Sequence, residues 1–151
     1  MKRSLVALVM VLAVGVFMPD VAAAQDQSTR SSRPGMSLGQ NYPNPFNPET
    51  NIPFTVGDAQ QCAINPGKQY RVTLKILNLL TQHVATPVLK GGAGGVSGGQ
   101  SLDNLLLPCG DYVAYWDGKI RGTGRDAASG MYLYILEVDK KQLVRKMIVV
   151  K

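Results

Sequence analysis

Val72, Leu74 and Ile76 alternate with Thr73 and Lys75, and Ile52, Phe54 and Val56 alternate in the same way. A period of two puts successive side chains on opposite faces, which marks a strand with one buried face. Five further segments, 83–88, 102–107, 111–116, 130–138 and 143–150, are read as strands. Turn formers separate them: Asn65-Pro66-Gly67, the glycine-rich run 91–100, Pro108-Cys109-Gly110, Asp117-Gly118 and Ser129-Gly130. Beyond the N-terminal region no window shows a capped helical stripe, so crossover connections between parallel strands have nothing to form them.

About seven short strands joined by turns predict an all-β chain, an antiparallel β-sandwich of immunoglobulin-like (fibronectin III-like) type. Tyr112, Ala114 and Trp116 share one face of their strand, and Tyr132, Tyr134 and Leu136 share one face of the next. Both faces are assigned to the core. An aromatic platform of Trp116 with Tyr115, of the kind that binds sugars, is the alternative for the first.

The N-terminus has the parts of an export signal in order. Lys2 and Arg3 precede an apolar run over 5–18, and Ala22, Ala23 and Ala24 supply small residues for cleavage. The run is shorter than the roughly 20 residues a permanent spanning helix needs. The expected organisation is a signal peptide over 1–24, a flexible polar linker over 25–37 and one sandwich domain over 38–151. Export places the mature chain in the periplasm, at the outer-membrane surface or outside the cell. In that compartment disulfides persist, so Cys62 and Cys109 are expected to pair. Two separate buried thiols are the other possibility. A bridge would close a loop of about 47 residues, worth roughly 4 kcal/mol of unfolded-chain entropy.

Candidate chemistry is sparse. His83 is the one histidine, in an alternating segment where it reads as solvent-facing, and the glycine run lacks the ending and following helix of a phosphate loop. With one histidine and two distant cysteines a zinc site lacks ligands, and calcium at a strand-end loop stays open. The formal charge of +6, from 16 basic and 10 acidic residues, is scattered, with no aromatic-basic alternation for nucleic acid. No catalytic residue, metal or cofactor is assigned, and the chain is read as not an enzyme.

Residues 40–50, QNYPNPFNPET, can be neither helix nor ordinary strand. Each proline fixes its own φ and biases the residue before it toward extended geometry. Asn44 and Asn47 are expected to close side-chain turns onto amides ahead of them. Such a stiff arm loses little entropy on docking, and it is predicted to lie along the end of the sandwich as a lid, with Tyr42 and Phe46 inserted at the mouth of the core.

Five blocks, QNYPNPFNPETNIPF, VTLKILNLLTQHV, YVAYWDGK, ASGMYLYILEV and RKMIVVK, together resemble the immunoglobulin-like type A sorting domain of type IX secretion. That family is in turn similar to the immunoglobulin-like domain of flagellar hook-capping proteins. The resemblance spans about 38–151 and rests on Asn41, Tyr42, Pro43, Asn44, Pro45, Phe46, Asn47 and Pro48, on Trp116, Asp117 and Gly118, and on Ser129, Gly130 and Tyr132. Thr81 stands where the family has glycine, and the cysteine pair and glycine loop look like local additions. The large cargo that usually precedes the module is missing between signal and module.

The resemblance implies a non-catalytic module for sorting or surface attachment, recognised by outer-membrane secretion machinery or another surface protein. Lys146, Met147 and Lys151 match the ending that the machinery would read. Lysines on an edge strand also serve simply to discourage pairing with other chains. A structural or adhesive subunit, hook-cap-like and binding another protein or a glycan, is the alternative, although hook-cap proteins use flagellar export rather than a cleaved signal.

Overall fold

The computed structural model describes residues 30–92 and 96–151. Residues 1–24, expected as a signal peptide, residues 25–29 and positions 93–95 of the glycine run lie outside the described residues. Among the described residues ten strands form: β1 (Arg30–Arg33), β2 (Met36–Gly39), β3 (Thr50–Val56), β4 (Gln69–Leu77), β5 (His83–Ala85), β6 (Val88–Gly92), β7 (Leu105–Pro108), β8 (Gly110–Trp116), β9 (Gly130–Val138) and β10 (Lys141–Val149), with one short helix, α1 (Ala59–Ile64).

They build two sheets, in the orders β1-β2-β3-β8-β6 and β10-β9-β4-β5, with β7 also beside β4. Every strand pair is antiparallel. The inner faces share one apolar core. Ile52, Phe54 and Val56 of β3 and Tyr112, Ala114 and Trp116 of β8 enter it from one sheet; Val72, Leu74 and Ile76 of β4 and Tyr132, Tyr134 and Leu136 of β9 enter from the other. These are the faces that alternation assigned inward. A Trp116–Tyr115 platform does not form, because neighbours on a strand point to opposite sides and Trp116 is in the core.

The structure corrects the sequence reading in four places. Residues 30–37, expected as linker, form β1 and the start of β2, joined by Pro34-Gly35 with Gly35 at φ +84°. Glycine adopts that left-handed conformation without cost, and Met36 and Leu38 are buried. Segment β1, RSSR, has no apolar alternation to betray it; the Pro-Gly turn was the available signal.

The expected strand 83–88 is split. β5 pairs with β4 in one sheet, whereas β6 pairs with β8 in the other. Pro87 lies between them, has no amide to donate to a ladder, and marks where the chain crosses over. The glycine run is not simply a loop, since Gly91 and Gly92 belong to β6 and Gly99 donates to the Leu89 carbonyl at 2.6 Å.

Helix α1 was not expected either, being too short to show a stripe. The Asp58 carboxylate caps it by accepting from the Gln61 amide at 2.7 Å. The helix buries no side chain, and six residues are far too few for a helix to hold itself in water. What retains it is the Cys62–Cys109 disulfide, which the structure contains.

Replacing both cysteines with serine is therefore expected to act in two ways. Global stability falls by up to about 4 kcal/mol through restored loop entropy. Hydrogen exchange at the amides of Cys62 and Asn65, which bond to Asp58 and Gln61, accelerates before exchange in the sheets. Unchanged protection at these two amides would show that α1 does not depend on the bridge.

Candidate functional site

Residues 40–49 connect β2 to β3, neighbours in one sheet, yet the connection reaches across to β10 at the edge of the other. Its neck is pinned first. Asn41 is buried, its amide donates to the Tyr134 hydroxyl at 3.1 Å, and Tyr134 in turn donates to the Gly39 carbonyl at 2.8 Å. The Asn41 Nδ2 donates to the Pro43 carbonyl and the Thr50 hydroxyl, while its Oδ1 accepts from Gln40 Nε2. Every buried side-chain polar atom among the described residues has a partner. Such completeness is what makes burial of an amide tolerable.

The arm then docks on the last strand. Phe46 donates its amide to the Ile148 carbonyl and accepts from the Val150 amide, each at 3.0 Å, in a parallel bridge centred on Val149. Asn44 Oδ1 accepts from the Ile148 amide at 3.0 Å. Asn44 was expected to turn onto its own loop; it satisfies a sheet edge instead. Gln40 Nε2 donates to the Lys146 carbonyl, and Arg145 Nε donates to the Leu38 carbonyl at 2.9 Å.

Phe46 is 1% exposed and packs edge-on against Trp116, with ring centroids 5.5 Å apart; Trp116 makes a similar contact with Tyr132 at 5.9 Å. Half of the lid expectation thus meets a correction. Tyr42 is 51% exposed. Its backbone pairs with Asn51 through two bonds of 2.9 Å, so alternation that turns Asn41 inward must turn Tyr42 outward.

The Asp117-Gly118 turn completes this end. Gly118 has φ +75°, and a Cβ there would stand 2.1 Å from the Pro48 carbonyl oxygen, so only glycine lets arm and turn approach. Trp116 Nε1 donates to the Lys119 carbonyl, Asp117 accepts from the Lys119 amide, and Ala127 donates to the Gly118 carbonyl. Ser129 is exposed beside Gly130, which opens β9 opposite Val149. Asn47, Pro48, Gly118, Asp126, Val150 and Lys151 surround a shallow groove of about 200 Å³.

Of the three residues matched to a recognition ending, Lys146 and Lys151 are exposed. Met147 is not available, because its position in β10 points it into the core, where it is 0% exposed. Lys151 lies 3.8 Å and Lys119 3.4 Å from opposite oxygens of Asp126. All three side chains are half exposed, so these pairs contribute little to stability. Cys62–Cys109 sits at the other end of β8, seven residues or roughly 23 Å along the strand from Trp116.

His83 is exposed, with Nε2 3.0 Å from both the Ala85 carbonyl and the Thr86 hydroxyl and Nδ1 3.3 Å from the Arg121 guanidinium. No cluster of three or more histidine, cysteine or acidic side chains suited to a metal occurs among the described residues. Comparison of the chain with family models, with curated proteins and with solved structures finds no match.

Two predictions follow from this geometry. Phe46→Ala should lower stability by about 3 kcal/mol or more, read as a fall in Tm; an unchanged Tm would mean that the ring does not seal the core. The second concerns Tyr134, whose hydroxyl burial pushes its pKa up to about 12 from 10.0, against smaller opposing effects of the Asn41 amide and Arg145. Its folded-state pKa is raised, so this contribution is intact below pH 10 and lost as pH climbs through about 12. The loss is on the order of 2–3 kcal/mol. Tyr134→Phe, though less stable at neutral pH, should show a flatter decline over that window in denaturant titrations at each pH.

Proposed function

We propose that the chain is an exported, non-catalytic module of immunoglobulin-like type that serves protein sorting or attachment at the cell surface. One observation carries the reading: the motif blocks that resemble the sorting domain, far apart in the chain, converge on the last strand. Phe46 lies against Trp116, Trp116 against Tyr132, Pro48 against Gly118, and the arm's backbone against Ile148 and Val150. The C-terminal strand is thereby offered to a partner in one preset geometry, with Lys146 and Lys151 outward.

The immunoglobulin-like assignment draws support from two tyrosines near strand starts that donate to carbonyls four residues upstream, Tyr132 to Ala128 at 3.0 Å and Tyr112 to Pro108 at 2.8 Å. Corners of this kind recur in such sandwiches.

The test is delivery. Residues 25–151, fused behind an unrelated reporter and a signal peptide in a host with a type IX translocon, should bring the reporter to the cell surface. Lys146→Ala with Lys151→Ala should reduce delivery while leaving Tm unchanged. A reporter that stays in the periplasm would favour the structural or adhesive subunit instead. Full delivery by the double variant would leave those lysines only the protection of an edge strand.

A further inference from the structure

Alternation along the second sheet has an unusual outcome. Its inner face is the core, yet its outer face carries a run of apolar side chains too. Met131, Leu133 and Ile135 of β9 lie in register with Ile148, Lys146 and Val144 of β10, and Leu77 and Lys75 of β4 continue two of these rows. Met131, Val144 and Ile148 are 42%, 48% and 40% exposed. The first sheet's outer face is more mixed, with Asn51, Thr55 and Asp111 among Pro53, Val113 and Tyr115. Contiguous apolar surface of this kind marks a contact site.

The turn after Leu77 adds to it. Asn78 Oδ1 accepts from the amides of both Leu80 and Gln82, at 3.0 and 2.9 Å, and Thr81 takes φ +60°. This tight polar frame holds two leucines in solvent, Leu79 at 63% and Leu80 at 76% exposure. Leucines make no contribution to such a turn, whose hydrogen bonds come from Asn78 and the backbone.

Charge selects the occupant. Two lysines, Lys75 and Lys146, sit within the apolar rows, where their methylene stems extend the apolar surface while the ammonium groups reach past it. The neighbouring acid, Glu137, accepts from Gln142 at 2.6 Å. A second copy of a chain with net charge +6 would set lysine against lysine across the face. A layer that is apolar beneath and anionic above satisfies both features at once. We propose that this face, led by the Leu79-Leu80 turn, docks on a bilayer containing anionic phospholipid. The leucines enter the headgroup boundary, and Lys75 and Lys146 meet lipid phosphates.

The experiment is co-sedimentation of the purified exported protein, disulfide intact, with vesicles of phosphatidylcholine alone or mixed with phosphatidylglycerol. No secretion machinery is present, so the result is independent of the sorting role even though Lys146 belongs to both surfaces. The protein should partition onto the mixed vesicles, less so at high salt, and not onto phosphatidylcholine alone. Leu79→Ser with Leu80→Ser should abolish partitioning, and Lys75→Gln or Lys146→Gln should each weaken it about five-fold. All four side chains are exposed, so Tm should not move. Equal binding to both vesicles, or to neither, would overturn the proposal. So would a dimer in light scattering that Leu133→Gln dissolves, since the face would then belong to a second copy.

Discussion

Trp116 is wedged between Phe46 and Tyr132, and through that stack the two sheets and the arm become one body. Trp116 closes β8 in the first sheet, Tyr132 lies near the start of β9 in the second, and Phe46 belongs to neither strand. Edge-to-face contacts between buried rings add about 0.5–1.5 kcal/mol each beyond the area they remove from water. Their directionality also fixes how the sheets meet at this end. Without Phe46, Trp116 would lose its edge-on partner there and the Asn-Pro segment its anchor.

The arm answers a second problem, the exposed edge of β10. An edge strand leaves backbone donors and acceptors unpaired and invites other chains to pair with them. Here the edge is met by unlike groups: a backbone bridge at Phe46, the Asn44 carboxamide on Ile148 and the Gln40 carboxamide on Lys146. Because prolines interrupt the arm, it cannot itself continue as a strand and expose a fresh edge. The Asn41–Tyr134–Gly39 knot at its neck keeps it from swinging away.

Much of this was legible. Strands β3, β4, β8, β9 and β10, the inward faces of the first four, the disulfide partners and the burial of Phe46 followed from period two, turn residues, proline stiffness and the expected compartment. The misses share a cause, which is that each depended on groups distant in the chain. RSSR of β1 is a strand only because β2 offers it a partner, and α1 persists only because Cys62 is tied to Cys109. Tyr42 points outward because Asn51 pairs with its backbone, and Met147 points inward because β10 takes its register from β9. At the candidate site, the motif residues could be named in advance but not their contacts. Nothing in NYPNPFNP says that Asn44 will satisfy Ile148, 104 residues away.

By itself the sequence determined the local terms: which segments alternate, where the chain must turn, that prolines keep 40–49 out of a ladder, and that two cysteines are available to pair. These follow from side-chain size, φ restriction and hydrogen-bonding capacity, which are properties of a residue and its immediate neighbours. Only the tertiary structure decided which sheet each strand joined, that β5 and β6 would part at Pro87, that the arm would clasp β10, and that apolar side chains would gather on the outer face of the second sheet as well. Those outcomes depend on register and on packing between surfaces, and a shift of one residue in either reverses every side chain on the strand.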